Sequence, residues 1–132
     1  MKTILVVDDK ADIVELVKNR LEANNYRVLS ASDGKQGIEQ AQLHKPDLIV
    51  MDIMMPNVSG GEAVKVLKSD ITTKHIPVIF LTAAASSVPQ GQEPGRVYVD
   101  GQFYPALGKP FKSEQLLLEI DKLIGGKRSL RA

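Results

Sequence analysis

Four short apolar runs are each followed by residues able to do chemistry together. Asp8 and Asp9 come after Ile4-Leu5-Val6-Val7, Asp52 after Leu48-Ile49-Val50-Met51, Thr82 after Val78-Ile79-Phe80-Leu81, and Lys109 after Ala106-Leu107-Gly108. If these runs are strands, the polar residues share one rim. Carboxylates gathered there repel: two unit charges ~5 Å apart at an effective dielectric of ~20 cost about 3 kcal/mol, so a cation must share the pocket. Carboxylates, a backbone carbonyl and waters suit Mg²⁺, a hard octahedral ion that completes its shell with phosphate oxygens. Lys109 adds a second positive charge and Thr82 a hydroxyl donor, a set suited to a phosphoryl group attached to, or arriving at, an aspartate. Taken singly, each has a plainer reading. Asp9 is a candidate helix cap, Thr82 a strand-end hydroxyl, Lys109 a solvated charge, and Met51, Met54 and Met55 core filling. Their common placement after successive runs favours the joint reading.

The elements that must hold these residues alternate. Apolar runs at Thr3 to Val7, Tyr26 to Ala31, Asp47 to Met51 and Ile76 to Leu81 read as buried strands, with a fifth expected near Tyr104 to Leu107. Between them lie stretches of helical period: Ile13, Leu16, Val17 and Leu21 before Asn24-Asn25, then a helix capped by Ser32 or Asp33 and ended by His44-Lys45-Pro46, then one capped by Ser59 that buries Val64 and Leu67. Ser113 opens the last helix, whose stripe is Leu117, Ile120, Leu123 and Ile124 before Gly125-Gly126. This alternation predicts an α/β fold, a doubly wound five-stranded parallel sheet covered on both faces. Between 85 and 105 the fourth helix is degenerate or replaced, because Pro89, Gly91, Pro94 and Gly95 interrupt any helix. Val97-Tyr98-Val99, Asp100-Gly101 and Gln102-Phe103-Tyr104 read instead as a hairpin around a two-residue turn. Pro105 directly after it suits an edge strand.

Composition narrows the alternatives. The 132 residues suit one domain, read as 1–125 with a flexible tail at 126–132, and leave no room for a separate output domain. Apolar residues make up 43% and charged residues 25%, the balance of a globular protein. A net charge of +1 gives no overall drive toward nucleic acid or anionic membrane, and the basic residues Lys127, Arg128 and Arg131 read as a solvated end. With no cysteine, disulfides, thiolate metal sites and cysteine nucleophiles are excluded, and a cytoplasmic setting is expected. The first apolar run is too short for a signal peptide or a membrane span. His44 and His75 are too far apart to suggest a metal site, and no glycine-rich nucleotide loop is present.

Together Val6-Val7-Asp8-Asp9, Asp52-Ile53-Met54-Met55-Pro56 with Gly60, Pro77-Val78-Ile79-Phe80-Leu81-Thr82-Ala83 and Gly108-Lys109-Pro110-Phe111 resemble the CheY-like receiver domain of two-component response regulators. The motifs occur in the family's order over nearly the whole chain. The resemblance implies a flavodoxin-like strand order 2-1-3-4-5 and a phosphoacceptor, Asp52, that takes a phosphoryl group from a sensor histidine kinase or a phosphotransfer protein and passes the signal to a downstream protein. It further implies that Asp9, Asp52 and the Met54 carbonyl ligate Mg²⁺, with Asp8 holding the ion directly or through water. Thr82 and Lys109 would grip the phosphoryl oxygens, Ala83 would keep the phosphate accessible, and the Lys109-Pro110 bond would be cis.

Two departures from the family pattern stand out. Where relatives usually carry Tyr or Phe three residues before the lysine, this chain has Ala106, and the stretch from Thr82 to Lys109 is several residues longer than usual. The 85–105 segment is therefore expected to be a recognition element particular to this protein. A Mg²⁺-dependent phosphohydrolase using an aspartyl phosphate is the enzymatic alternative, although such enzymes place two acids as Asp-x-Asp and Asp52-Ile53-Met54 lacks the second. A receiver-like docking module that never handles phosphate is the other alternative. The chain reads either as a stand-alone regulator or as the receiver of a longer protein such as a hybrid kinase.

Overall fold

The computed structural model describes residues 1–82, 95–109 and 111–125. In chain order the elements are β1 (Thr3–Val7), α1 (Ala11–Ala23), β2 (Arg27–Ala31), α2 (Gly34–His44), β3 (Leu48–Asp52), α3 (Gly60–Lys68), β4 (Val78–Thr82), β5 (Gly95–Val99), β6 (Gln102–Gly108) and α4 (Ser113–Ile124). They form one six-stranded sheet in the order β2-β1-β3-β4-β6-β5. Every neighbouring pair is parallel except β5 with β6. The expected order 2-1-3-4-5 holds with β6 in fifth place. The expected count of five parallel strands is corrected by β5, which turns back antiparallel and forms an outer edge.

Alternation along the strands explains why their sequences are apolar throughout. On β1, Leu5 and Val7 pack on one face with Ile49, Met51, Val78 and Phe80 under α2 and α3, where Ala41, Ala63, Val64 and Leu67 meet them. Ile4 and Val6 pack on the other face with Leu48, Val50, Ile79 and Leu81 under α1 and α4, against Val17, Leu21, Leu116 and Ile120. A parallel strand buried on both faces has no side left for polar residues. Not every apolar residue at helical spacing is inside: Leu16 and Leu123 are exposed, and Glu119 takes a buried place on α4 with its carboxylate paired to Lys122 Nζ at 3.1 Å.

The caps show which local readings hold. Asp33 caps α2, its side chain accepting from the Gln36 N–H, and Ser59 and Glu62 form a reciprocal capping box on α3. Asp9 does not cap α1. The cap position of that helix is Lys10, which makes no side-chain cap bond. The predicted hairpin is present: Val99 faces Gln102 across Asp100 and Gly101, whose φ values of 48° and 88° are those of a type I′ turn. Pro105 lies between two neighbouring strands and not on an edge. The ladder tolerates it because Lys109 N donates to Thr82 O, which points the Pro105 nitrogen toward β4, and the β4 register starts only at Ala106. Residues 83–94, including Ala83, together with Pro110 and the tail 126–132, lie outside the described residues.

Candidate functional site

The register brings the site together. Val7 sits opposite Met51, Asp52 opposite Leu81, and Thr82 opposite Gly108, so Asp8, Asp9, Asp52, Thr82 and Lys109 leave adjacent strands at the same carboxyl rim. In open parallel sheets this rim is where ligands bind. Asp8 and Asp52 are each only 1% exposed and Thr82 is buried as well, whereas Asp9 lies at the mouth. The Lys109 ammonium is 2.7 Å from Asp8 Oδ2 and 3.6 Å from Asp52 Oδ2.

Backbone donors fix the carboxylates further. Asp8 Oδ1 accepts from the Lys10 N–H at 2.9 Å, and Asp52 Oδ1 from the Met54 N–H at 3.2 Å. Among the described residues nothing donates a hydrogen bond to Asp52 Oδ2, although it is buried. Leaving a buried acceptor without a donor costs ~1–3 kcal/mol, more for a charged group. Burial, and next to it the negative charge of Asp8, push the Asp52 carboxyl above its ordinary value. Lys109, the Met54 N–H and Lys10 pull it back only in part.

One carboxylate oxygen from each of Asp8, Asp9 and Asp52 lies within 4.8 Å of the other two. Three acids, one holding a buried orphan oxygen, fit a hard divalent cation, which would satisfy that oxygen and neutralise the repulsion.

One participant was not singled out by sequence reasoning. Lys10 stands 3.6 Å from Asp9 Oδ1, and the charges of Asp9 first and Asp52 second raise its pKa. The only hint was its place directly after two acids. For Gly60, quoted with the Asp52 motif, the structure supplies the reason: a Cβ there would collide with the Asp52 carbonyl oxygen and lie 2.9 Å from Ile53 Cα, so a side chain would displace the strand end that carries Asp52. Met54, read as core filling, is 64% exposed, while Met51 and Met55 are buried. Ala106 is fully buried opposite Phe80. The nearby rings are placed otherwise: Tyr104 packs edge-on to Phe80 in the core, and Phe103 is exposed.

The sequence matches the response regulator receiver domain family over residues 4–121. The chain belongs to that family. It is 34% identical to Histidine kinase P4 of Formosa agariphila, an alignment covering 98% of the chain but 9% of that protein. It is 40% identical over 84 residues to the polar-differentiation response regulator DivK of Brucella anthropi, covering 64% of the chain and 68% of DivK. The fold superposes with a TM-score of 0.77 on the receiver domain of sensor histidine kinase PA1611 from Pseudomonas aeruginosa PAO1, at 28% identity, covering 94% of this chain and 98% of that one. That neighbour was solved with a magnesium ion coordinated in its active site cleft. The receiver is thus a signalling module of the two-component type, and no helix among the described residues is long and apolar enough to cross a membrane.

Proposed function

We propose that Asp52 is the phosphoacceptor of this receiver, loaded by a sensor histidine kinase or a phosphotransfer protein in a Mg²⁺-dependent reaction, and that the loaded form signals to a downstream protein in a cytoplasmic setting. The observation that carries the reading is the buried Asp52 carboxylate, one oxygen of which accepts no hydrogen bond from the described residues, set between two further acids and Lys109. Asp8, Asp9, Asp52 and the Met54 carbonyl would hold Mg²⁺, which would withdraw charge from the phosphoryl oxygens and relieve the repulsion among the acids.

The chain's own groups do the rest. Asp52 attacks phosphorus with one carboxylate oxygen; an O–P bond forms while the donor's P–N bond breaks, and that electron pair stays on the donor's imidazole nitrogen. Lys109 moves its ammonium from Asp8 to a phosphoryl oxygen, and Thr82 donates its hydroxyl to another. Both lie at strand ends, Thr82 on β4 and Lys109 just after β6, so the new charge acts on the two strands beside the hairpin.

In a test with acetyl phosphate and Mg²⁺, intact mass should show one added phosphoryl group per chain, and excess EDTA should abolish it. No added mass with Mg²⁺ present, or full labelling without it, would defeat the proposal. Turnover of p-nitrophenyl phosphate at enzymatic rates would favour a phosphohydrolase instead.

A further inference from the structure

The hairpin gives this receiver a sheet edge with its own chemistry. β5 ends the strand order, and no strand among the described residues pairs with its outer side. In a two-residue hairpin the pair flanking the turn exchanges hydrogen bonds and pairs then alternate, so Val99, Val97 and Gly95 bond to β6 while Arg96 and Tyr98 turn N–H and C=O outward. Among the described residues β5 itself carries no proline and no lysine, and its one charge is Arg96. Tyr98 and Phe103 are each more than 60% exposed, 5.0 Å apart between ring centroids, on the face that also carries Arg96.

We propose that this edge is an interface with a second copy of the chain, formed by antiparallel pairing of β5 with its twin about a two-fold axis at Val97. The sequence Gly95-Arg96-Val97-Tyr98-Val99 complements itself in that register. Arg96 of each copy falls opposite Tyr98 of the other, and these are the two residues whose backbone groups face outward. Both pairs can exchange N–H···O=C bonds, and each guanidinium lies across from a tyrosine ring, a favourable cation–π pairing. Val97 meets its twin at a non-hydrogen-bonded position, and two six-stranded sheets become continuous. A five-residue strand buries less than the roughly 1,000 Å² of a tight interface, so the dimer is reversible and concentration-dependent. The proposal stands apart from phosphotransfer and can fail without touching it.

Sedimentation equilibrium of the full chain should show a monomer–dimer equilibrium. Tyr98→Lys sets like charges opposite each other at both pairs and should weaken dimerisation about tenfold or more. Adding Arg96→Glu to it restores opposite charges and should recover most of the loss, which a folding defect would not permit. Because the chain has no cysteine, Val97→Cys should form an intermolecular disulfide on mild oxidation, while Gln102→Cys, one strand further in, should not. A strictly monomeric chain, a dimer indifferent to Tyr98→Lys, or equal cross-linking at both positions would overturn the proposal.

Discussion

Asp52 sits in a place that disfavours its own charge. Burial and the neighbouring Asp8 raise its pKa, so the folded chain takes up a proton at Asp52 at higher pH than the unfolded chain does. Between the ordinary carboxylate value of 3.8 and that raised value, rising pH therefore weakens the fold, and above the window the full penalty remains. Asp52→Asn should raise Tm at pH 7 without Mg²⁺, and the gain should vanish as the pH is lowered below 3.8, where Asp52 is neutral in both states. Thermal scans at two pH values check this; a lower Tm at pH 7 would contradict it. Asp8, Asp9, Asp52, Thr82 and Lys109 were legible in the sequence because each follows an apolar run whose end the sheet aligns. Lys10 was not, since a lysine after two acids is commonplace and only the fold brings it near Asp52 as well as Asp9.

Helix starts and turns set the aim of the site. Gly60 and Gly101 are both irreplaceable for opposite reasons. Gly60 has no room for a Cβ beside the Asp52 carbonyl, so Gly60→Ala should cost about 1–3 kcal/mol and slow phosphorylation by displacing the end of β3. Gly101 has open space but a φ of 88°, so Gly101→Ala should cost about 1–2 kcal/mol and leave phosphorylation unchanged. Denaturant melts and labelling rates separate the two; equal loss of labelling in both variants would contradict the assignment. The caps at Asp33 and Ser59 and the Asp100-Gly101 turn were readable from local chemistry. The start of α1 was not, because Asp8 uses its carboxylate on the Lys10 N–H and Asp9 turns toward the site mouth. Pro105 misled for a related reason: proline restricts a strand only where its nitrogen meets an established ladder.

Across the molecule, the two-faced core makes the sheet rigid enough to hold like charges together. Strand residues alternate between the α2/α3 face and the α1/α4 face, and the runs from β1, β3 and β4 are fully buried apart from Thr3. That pattern gave away the fold class, while the strand order was implied by the family resemblance. The sixth strand follows from the hairpin signal alone, but its pairing beyond β6 is a long-range fact that no local propensity records. The central claim, that this scaffold presents Asp52 as a phosphoacceptor, is tested most directly by exposing wild type, Asp52→Asn and Asp9→Asn to acetyl phosphate with Mg²⁺ and weighing the intact chains. Wild type should gain one phosphoryl group, Asp52→Asn none, and Asp9→Asn should need more Mg²⁺ to reach the same labelling. Labelling of Asp52→Asn equal to wild type would contradict the account.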